Sequence, residues 1–174
     1  MLKKIAIAVV VVIAGVLAYA ATKPDTFRVQ RAATIKAPPE KISAVLTDLR
    51  GWQAWSPWEK MDPALKRSYS GEVKGKGAVY AWEGNKEVGQ GRMEITAAAA
   101  TRVAIDLDFV KPFEAHNKVV FTLAPKGDST EVTWAMQGPL PYMAKVVHVF
   151  LDMDGMVGKQ FETGLANLKA LTEK

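Results

Sequence analysis

Residues 141–174 read PYMAKVVHVFLDMDGMVGKQFETGLANLKALTEK. Met143, Val146, Val147, Phe150, Met153, Val157, Phe161, Leu165, Leu168 and Leu171 recur at steps of three and four, which puts them on one broad stripe of a helix. This spacing predicts a long C-terminal helix with a continuous apolar face. Such a face needs a partner, and the chain from Phe27 to Gly138 reads as the sheet that supplies it.

Phe27 to Ile35 alternates, with Phe27, Val29, Ala33 and Ile35 on one side and Arg31 in the same row, so this first strand is expected to be half buried. Ala37-Pro38-Pro39-Glu40 opens a short helix, with proline in the first turn where a missing N–H costs nothing. Its apolar face is Ile42, Val45, Leu46 and Leu49, and it is expected to end near Arg50-Gly51. Six more strands follow between turn signals: Leu65 to Ser70, Ala78 to Glu83, Val88 to Ala98, Arg102 to Val110, His116 to Ala124 and Thr130 to Gln137. Val103, Ile105, Leu107 and Phe109 alternate with Arg102, Asp106 and Asp108, the pattern of a sheet with one wet and one packed face. Short turns between evenly spaced strands argue an antiparallel meander closed by the last helix. No internal repeat or second folded domain is visible. The expected division is residues 1–25 as membrane segment and linker, and 26–174 as one domain.

Nearly half of the 174 residues are apolar, which fits a folded chain. With no cysteine, disulfides and thiolate chemistry are excluded. Of 23 basic residues Lys3 and Lys4 precede the apolar N-terminus, leaving 21 against 18 acidic ones, an ordinary balance that gives no reason to expect nucleic acid. Ile5 to Ala21 is an unbroken apolar run, long enough as a helix to approach the thickness of a bilayer core. Lysines before it would stay in the cytoplasm and send the remaining chain outward. Ala18-Tyr19-Ala20 also fits the end of a cleaved signal peptide, so a single-pass anchor and a signal segment both remain open. Either reading makes the domain exported, on the membrane or free in the periplasm or medium.

The order of elements, with Val29 to Glu40, Trp55-Ser56-Pro57-Trp58, Trp82-Glu83-Gly84-Asn85 and Phe150-Leu151-Asp152-Met153-Asp154, resembles the START-like (SRPBCC) superfamily. The likeness is greatest to its polyketide cyclase/dehydrase and lipid-transport branch, over roughly residues 26–173. It implies an α+β helix-grip fold: a curved antiparallel sheet of about seven strands around a long C-terminal helix, with a cavity for an apolar ligand. Lipid carriers, aromatic-ring cyclases, hormone receptors and chaperone co-factors share that fold, so it leaves function open.

Chemistry-bearing residues are sparse. His116 and His148 form no metal-ligand spacing, so no metal or other cofactor is expected. Asp152 and Asp154, placed inside the predicted helix, lie about 200° apart around it and cannot serve one ligand together. Asp106 and Asp108 share a face, but the wet one. The aromatic and methionine side chains are the better candidates. Tyr80, Trp82, Met93, Phe109, Phe121, Trp134, Phe150, Met153 and Phe161 are expected to point into the space between sheet and helix, either filling it or lining a ligand cavity. Trp55, Trp58 and Met143 are the candidate entrance, although the tryptophan cluster reads first as a hydrophobic plug at one end of the sheet and only second as an aromatic rim around an entrance or a membrane-touching patch. The leading expectation is an anchored binder of a lipid or other hydrophobic small molecule. A cyclase-type enzyme and a protein-interaction module at the cell envelope are the alternatives.

Overall fold

The computed structural model describes residues 1–174. Helix α1 spans Leu2–Ala21, followed by β1 (Thr26–Ile35) and α2 (Pro39–Leu46). Two short 3₁₀ helices, Leu49–Ala54 and Pro57–Lys60, lead into strands β2 (Lys66–Gly71), β3 (Ala78–Glu83), β4 (Gln90–Ala99), β5 (Arg102–Lys111), β6 (Ala115–Lys126) and β7 (Ser129–Pro139). Helices α3 (Tyr142–Phe150) and α4 (Met153–Thr172) close the chain. The seven strands form one curved antiparallel sheet in the order β1-β7-β6-β5-β4-β3-β2. Strands β2 to β7 pair with their sequence neighbours. The α2 and 3₁₀ segment carries the chain across from β1 at one edge to β2 at the other.

The chain is helix-grip as expected, but its C-terminal helix is not one helix. It breaks at Leu151-Asp152, where Asp152 caps α4 by accepting the backbone N–H of Gly155 at 2.9 Å. Asp152 and Asp154 are therefore start-of-helix residues, where a capping carboxylate and a first-turn acid are favoured. Helical periodicity puts them mid-helix because the step-of-three-and-four pattern runs straight across the break. α2 also ends earlier than expected, at Leu46, and Leu49 begins the first 3₁₀ turn.

α4 packs across β1, and Arg31 explains itself there. From the inward row of β1 its guanidinium donates to Asp154 Oδ2 at 3.0 Å and to Glu162 Oε1 at 2.8 Å, both on α4. The guanidinium occupies the space over Gly158, where a β-carbon would collide with it. Below this ion pair the core is continuous. Phe161, Leu165 and Leu168 of α4 are at most 1% exposed and meet Val29, Ile35, Val132 and Trp134.

Candidate functional site

The 3₁₀ segment places aromatic side chains at three depths. Trp52 is anchored by its indole N–H, which donates to the Leu46 carbonyl at 3.0 Å. Trp55 is wholly buried and tilts against Trp52, with ring centres 4.8 Å apart. Proline at 57 restarts the chain as a separate turn and turns Trp58 onto Trp134 and Phe161, at 5.7 and 6.1 Å. Trp134 and Phe161 stack almost parallel at 4.2 Å, joining β7 to α4. Gly164 makes that stack possible, since a β-carbon there would lie 2.7 Å from the Trp134 ring.

Between this aromatic wall and strands β3–β7 lies a cavity of about 170 Å³. Fifteen of its 17 lining residues are hydrophobic; the exceptions are Ser56 and Glu59. Tyr80, Trp82, Met93, Phe109, Trp134 and Phe161, six of the nine residues singled out in the sequence, line it together with Trp58. Ile105, Leu107, Val119, Met136 and Val157 complete much of its wall. Gly91 belongs to this wall by omission: any side chain there would strike the Trp82 ring, 2.6 Å from the position of a β-carbon.

Five expected positions fall elsewhere. Phe121 is fully buried behind the cavity, edge-on to Trp52 and Trp55, and serves as core. Trp55 is sealed inside the same cluster and forms no entrance; it belongs to the plug. Met143 and Phe150 are 71% and 72% exposed, because the break after Phe150 frees α3 to pack beside α1 instead of over the sheet. Met153 and Phe150 border a separate shallow cleft at the α3–α4 junction.

Glu59 is the residue that sequence reasoning missed. Its side chain is only 6% exposed. Oε1 accepts the Tyr80 hydroxyl at 2.6 Å, and Oε2 accepts Arg67 Nε at 2.7 Å. Burial, and then the bond to Glu59, push the Tyr80 hydroxyl well above its ordinary value, so it stays a donor. Tyr80 is thus no phenolate base. Nothing in the sequence singles out Glu59 from the Glu-Lys pair that follows Trp58. Only the packing of that turn against β2 and β3 buries it.

The remaining polar groups stand apart from the cavity. His116 Nδ1–H donates to Asp108 Oδ1 at 2.8 Å on the outer face, beside Arg92. Asp108 lifts the His116 imidazole above its usual value. His148 lies edge-on to Phe27, and burial followed by the nearby Lys23 charge lowers it. Inside, the indole N–H of Trp134 is buried without a hydrogen-bond partner.

The fold is shared with solved structures of low sequence identity. A Chromobacterium violaceum protein matches with a TM-score of 0.59 at 15% identity, over 87% of this chain and 99% of its own. The Aha1 dimer from Colwellia psychrerythraea matches with a TM-score of 0.59 at 20% identity, over 84% and 96%. A Thermus thermophilus protein reaches 0.56 at 16% identity, over 83% and 95%. No curated protein matches the sequence. Residues 26–173 match the family model described as polyketide cyclase / dehydrase and lipid transport, and the chain belongs to that family.

Proposed function

We propose that this protein is a membrane-anchored binder of a hydrophobic small molecule, held in the cavity between the sheet and α4. The single observation that carries the reading is the cavity itself: about 170 Å³ walled almost entirely by apolar side chains in an otherwise packed core. An apolar cavity of about 150 Å³ is known to stay dry and to take up benzene. The volume here suits one ring or a short run of alkyl carbons; a two-chain lipid has several times as many carbon atoms. A ring-sized guest buries about 150–250 Å². At about 25 cal/mol per Å² that is worth about 4–6 kcal/mol before ordering costs. Weak, exchangeable binding follows, which suits delivery more than storage.

α1 supports the anchored part of the reading. It is 20 residues long, with a mean hydropathy of 2.4 over its most apolar 18 residues, and is the one helix apolar and long enough to cross a membrane or act as a signal sequence. Lys3 and Lys4 before it favour a domain on the extracytoplasmic side.

The test is uptake of a hydrophobic fluorophore, with native mass spectrometry for a co-purified molecule. The full chain is expected to enhance fluorophore emission, and Phe109→Arg to abolish that enhancement while folding normally, because Phe109 is only half buried and a long cationic chain there can reach water. Undiminished uptake by a folded Phe109→Arg protein refutes the cavity assignment.

Glu59 favours one second reading, a cyclase-type enzyme, as the sole carboxylate on the cavity wall. Both of its oxygens already accept hydrogen bonds, so that chemistry requires a substrate able to displace Tyr80 or Arg67.

A further inference from the structure

α3 is turned the wrong way for a helix in water. Met143, Val147 and Phe150 make one face and are 71%, 48% and 72% exposed. Lys145, on the opposite side, is buried, and its Nζ donates to Asp25 at 2.6 Å. A surface helix of a soluble domain does the reverse. Leu151 and Met156 extend the exposed apolar surface past the helix end.

The position of α3 says what covers this face. It lies beside the last turns of α1: the Tyr142 hydroxyl donates to the Leu17 carbonyl at 2.9 Å, and Lys23 Nζ donates to the His148 carbonyl at 3.2 Å. The strand register puts one more apolar projection at the same end of the sheet. Thr26 pairs with Pro139, Lys118 with Gln137 and Phe109 with Ala115, so the β5–β6 connection is at the end where α1 and α3 attach. Val110, at the end of β5, is exposed there, and Phe113 in the connection is 82% exposed.

We infer that the Met143–Val147–Phe150 face and Phe113 seat in the interfacial layer of the bilayer that α1 enters. This rests on the anchor reading of α1. Leu17 is four residues before the end of α1, about 6 Å along it. A bilayer that encloses α1 therefore reaches Tyr142 and Met143 at its edge. Amphipathic helices lie about 5–10 Å deep in that boundary, and tyrosine favours it. Lys23 and Arg28 take part in no ion pair and border the cleft at the end of α3 together with Asp152 and Asp154; Arg31 pairs with Asp154, so the cleft keeps a net positive charge that complements anionic headgroups.

The chain has no cysteine, so single probes are introduced cleanly. Met143→Cys, Phe150→Cys and Phe113→Cys carry an environment-sensitive fluorophore. Val11→Cys in α1 and Asp128→Cys in the β6–β7 turn at the far end of the sheet are the references. Each full-length protein is reconstituted in phosphatidylethanolamine–phosphatidylglycerol vesicles, with and without nitroxide-bearing lipid. The probes at 143, 150, 113 and 11 are expected to shift to the blue and to lose most of their emission to the nitroxide lipid, while the probe at 128 is unaffected. Quenching at 11 with 143, 150 and 113 behaving like 128 overturns the docking and leaves the anchor standing. No quenching at any site overturns both. A blue shift at 143 and 150 that resists lipid quenching and fades as protein density falls assigns the face to a second copy of the chain and overturns the lipid. None of these signals depends on the cavity, whose own test is fluorophore uptake.

Discussion

Glu59 offers a double-mutant cycle whose size follows from its surroundings. The carboxylate is 6% exposed and the Tyr80 residue 3% exposed, and their oxygens are 2.6 Å apart. Glu59→Ala strands both the Tyr80 hydroxyl and the Arg67 guanidinium, and breaking a buried pair from one side costs about 3–5 kcal/mol. Arg67 is 23% exposed and keeps its bond to the Leu65 carbonyl, so the lower end of that range is expected. Tyr80→Phe deletes only the hydroxyl. A hydrogen bond to a charged group is worth about 1.5–3 kcal/mol, so this single change costs about that much. In the Glu59→Ala background the hydroxyl has no acceptor, and Tyr80→Phe is expected to be neutral or stabilising. The coupling is therefore about 2 kcal/mol. Urea unfolding of the full chain in detergent micelles, followed by near-ultraviolet circular dichroism of the tryptophan cluster, measures it. A coupling below about 0.5 kcal/mol, the scatter expected of independent sites, refutes the contact and with it the polar end of the cavity.

Gly164→Ala should destabilise the protein by about 1–3 kcal/mol despite its helical setting, because the added methyl meets the Trp134 ring; an increase in melting temperature contradicts the stack. Phe161→Ala should cost about 3–5 kcal/mol and admit bulkier fluorophores, an effect that uptake of a graded series of ring sizes reads directly. His116 should titrate above 6.5 in nuclear magnetic resonance, and Asp108→Asn should bring it back toward that value. The sign follows from the raised folded value. The His116–Asp108 attraction contributes fully below the unfolded value near 6.5 and is lost as pH rises through the folded one, so Asp108→Asn costs more stability at pH 5 than at pH 9.

The alternation in β5, β6 and β7 and the turn residues between them sufficed to read a sheet with one packed face, because a side-chain period of two leaves its mark directly on the sequence. The same logic located six cavity residues, since an inward strand position is inward whether it fills or lines. It could not tell filling from lining. Phe121 and Phe109 occupy equivalent inward positions, and only the crowding of Phe121 by Trp52 and Trp55 separates core from cavity wall.

Helical periodicity misled at the C-terminus for a physical reason. A step of three or four marks an apolar face but not the surface that face meets, and it runs undisturbed across a capped break. Asp152-Met153-Asp154-Gly155 carries the chemistry of a helix start, yet local sequence did not decide between a break and an unfavourable helix interior. What the chain determined by itself is the alternation of the strands, the apolar length of α1 and the need for a helix to close the sheet, all of them local patterns of apolar side chains. What the tertiary structure alone decided is the reversal of α3, the burial of Glu59 beneath Tyr80 and Arg67, and the open volume beside Trp134. Each of these depends on which distant segments meet, and no local pattern records that.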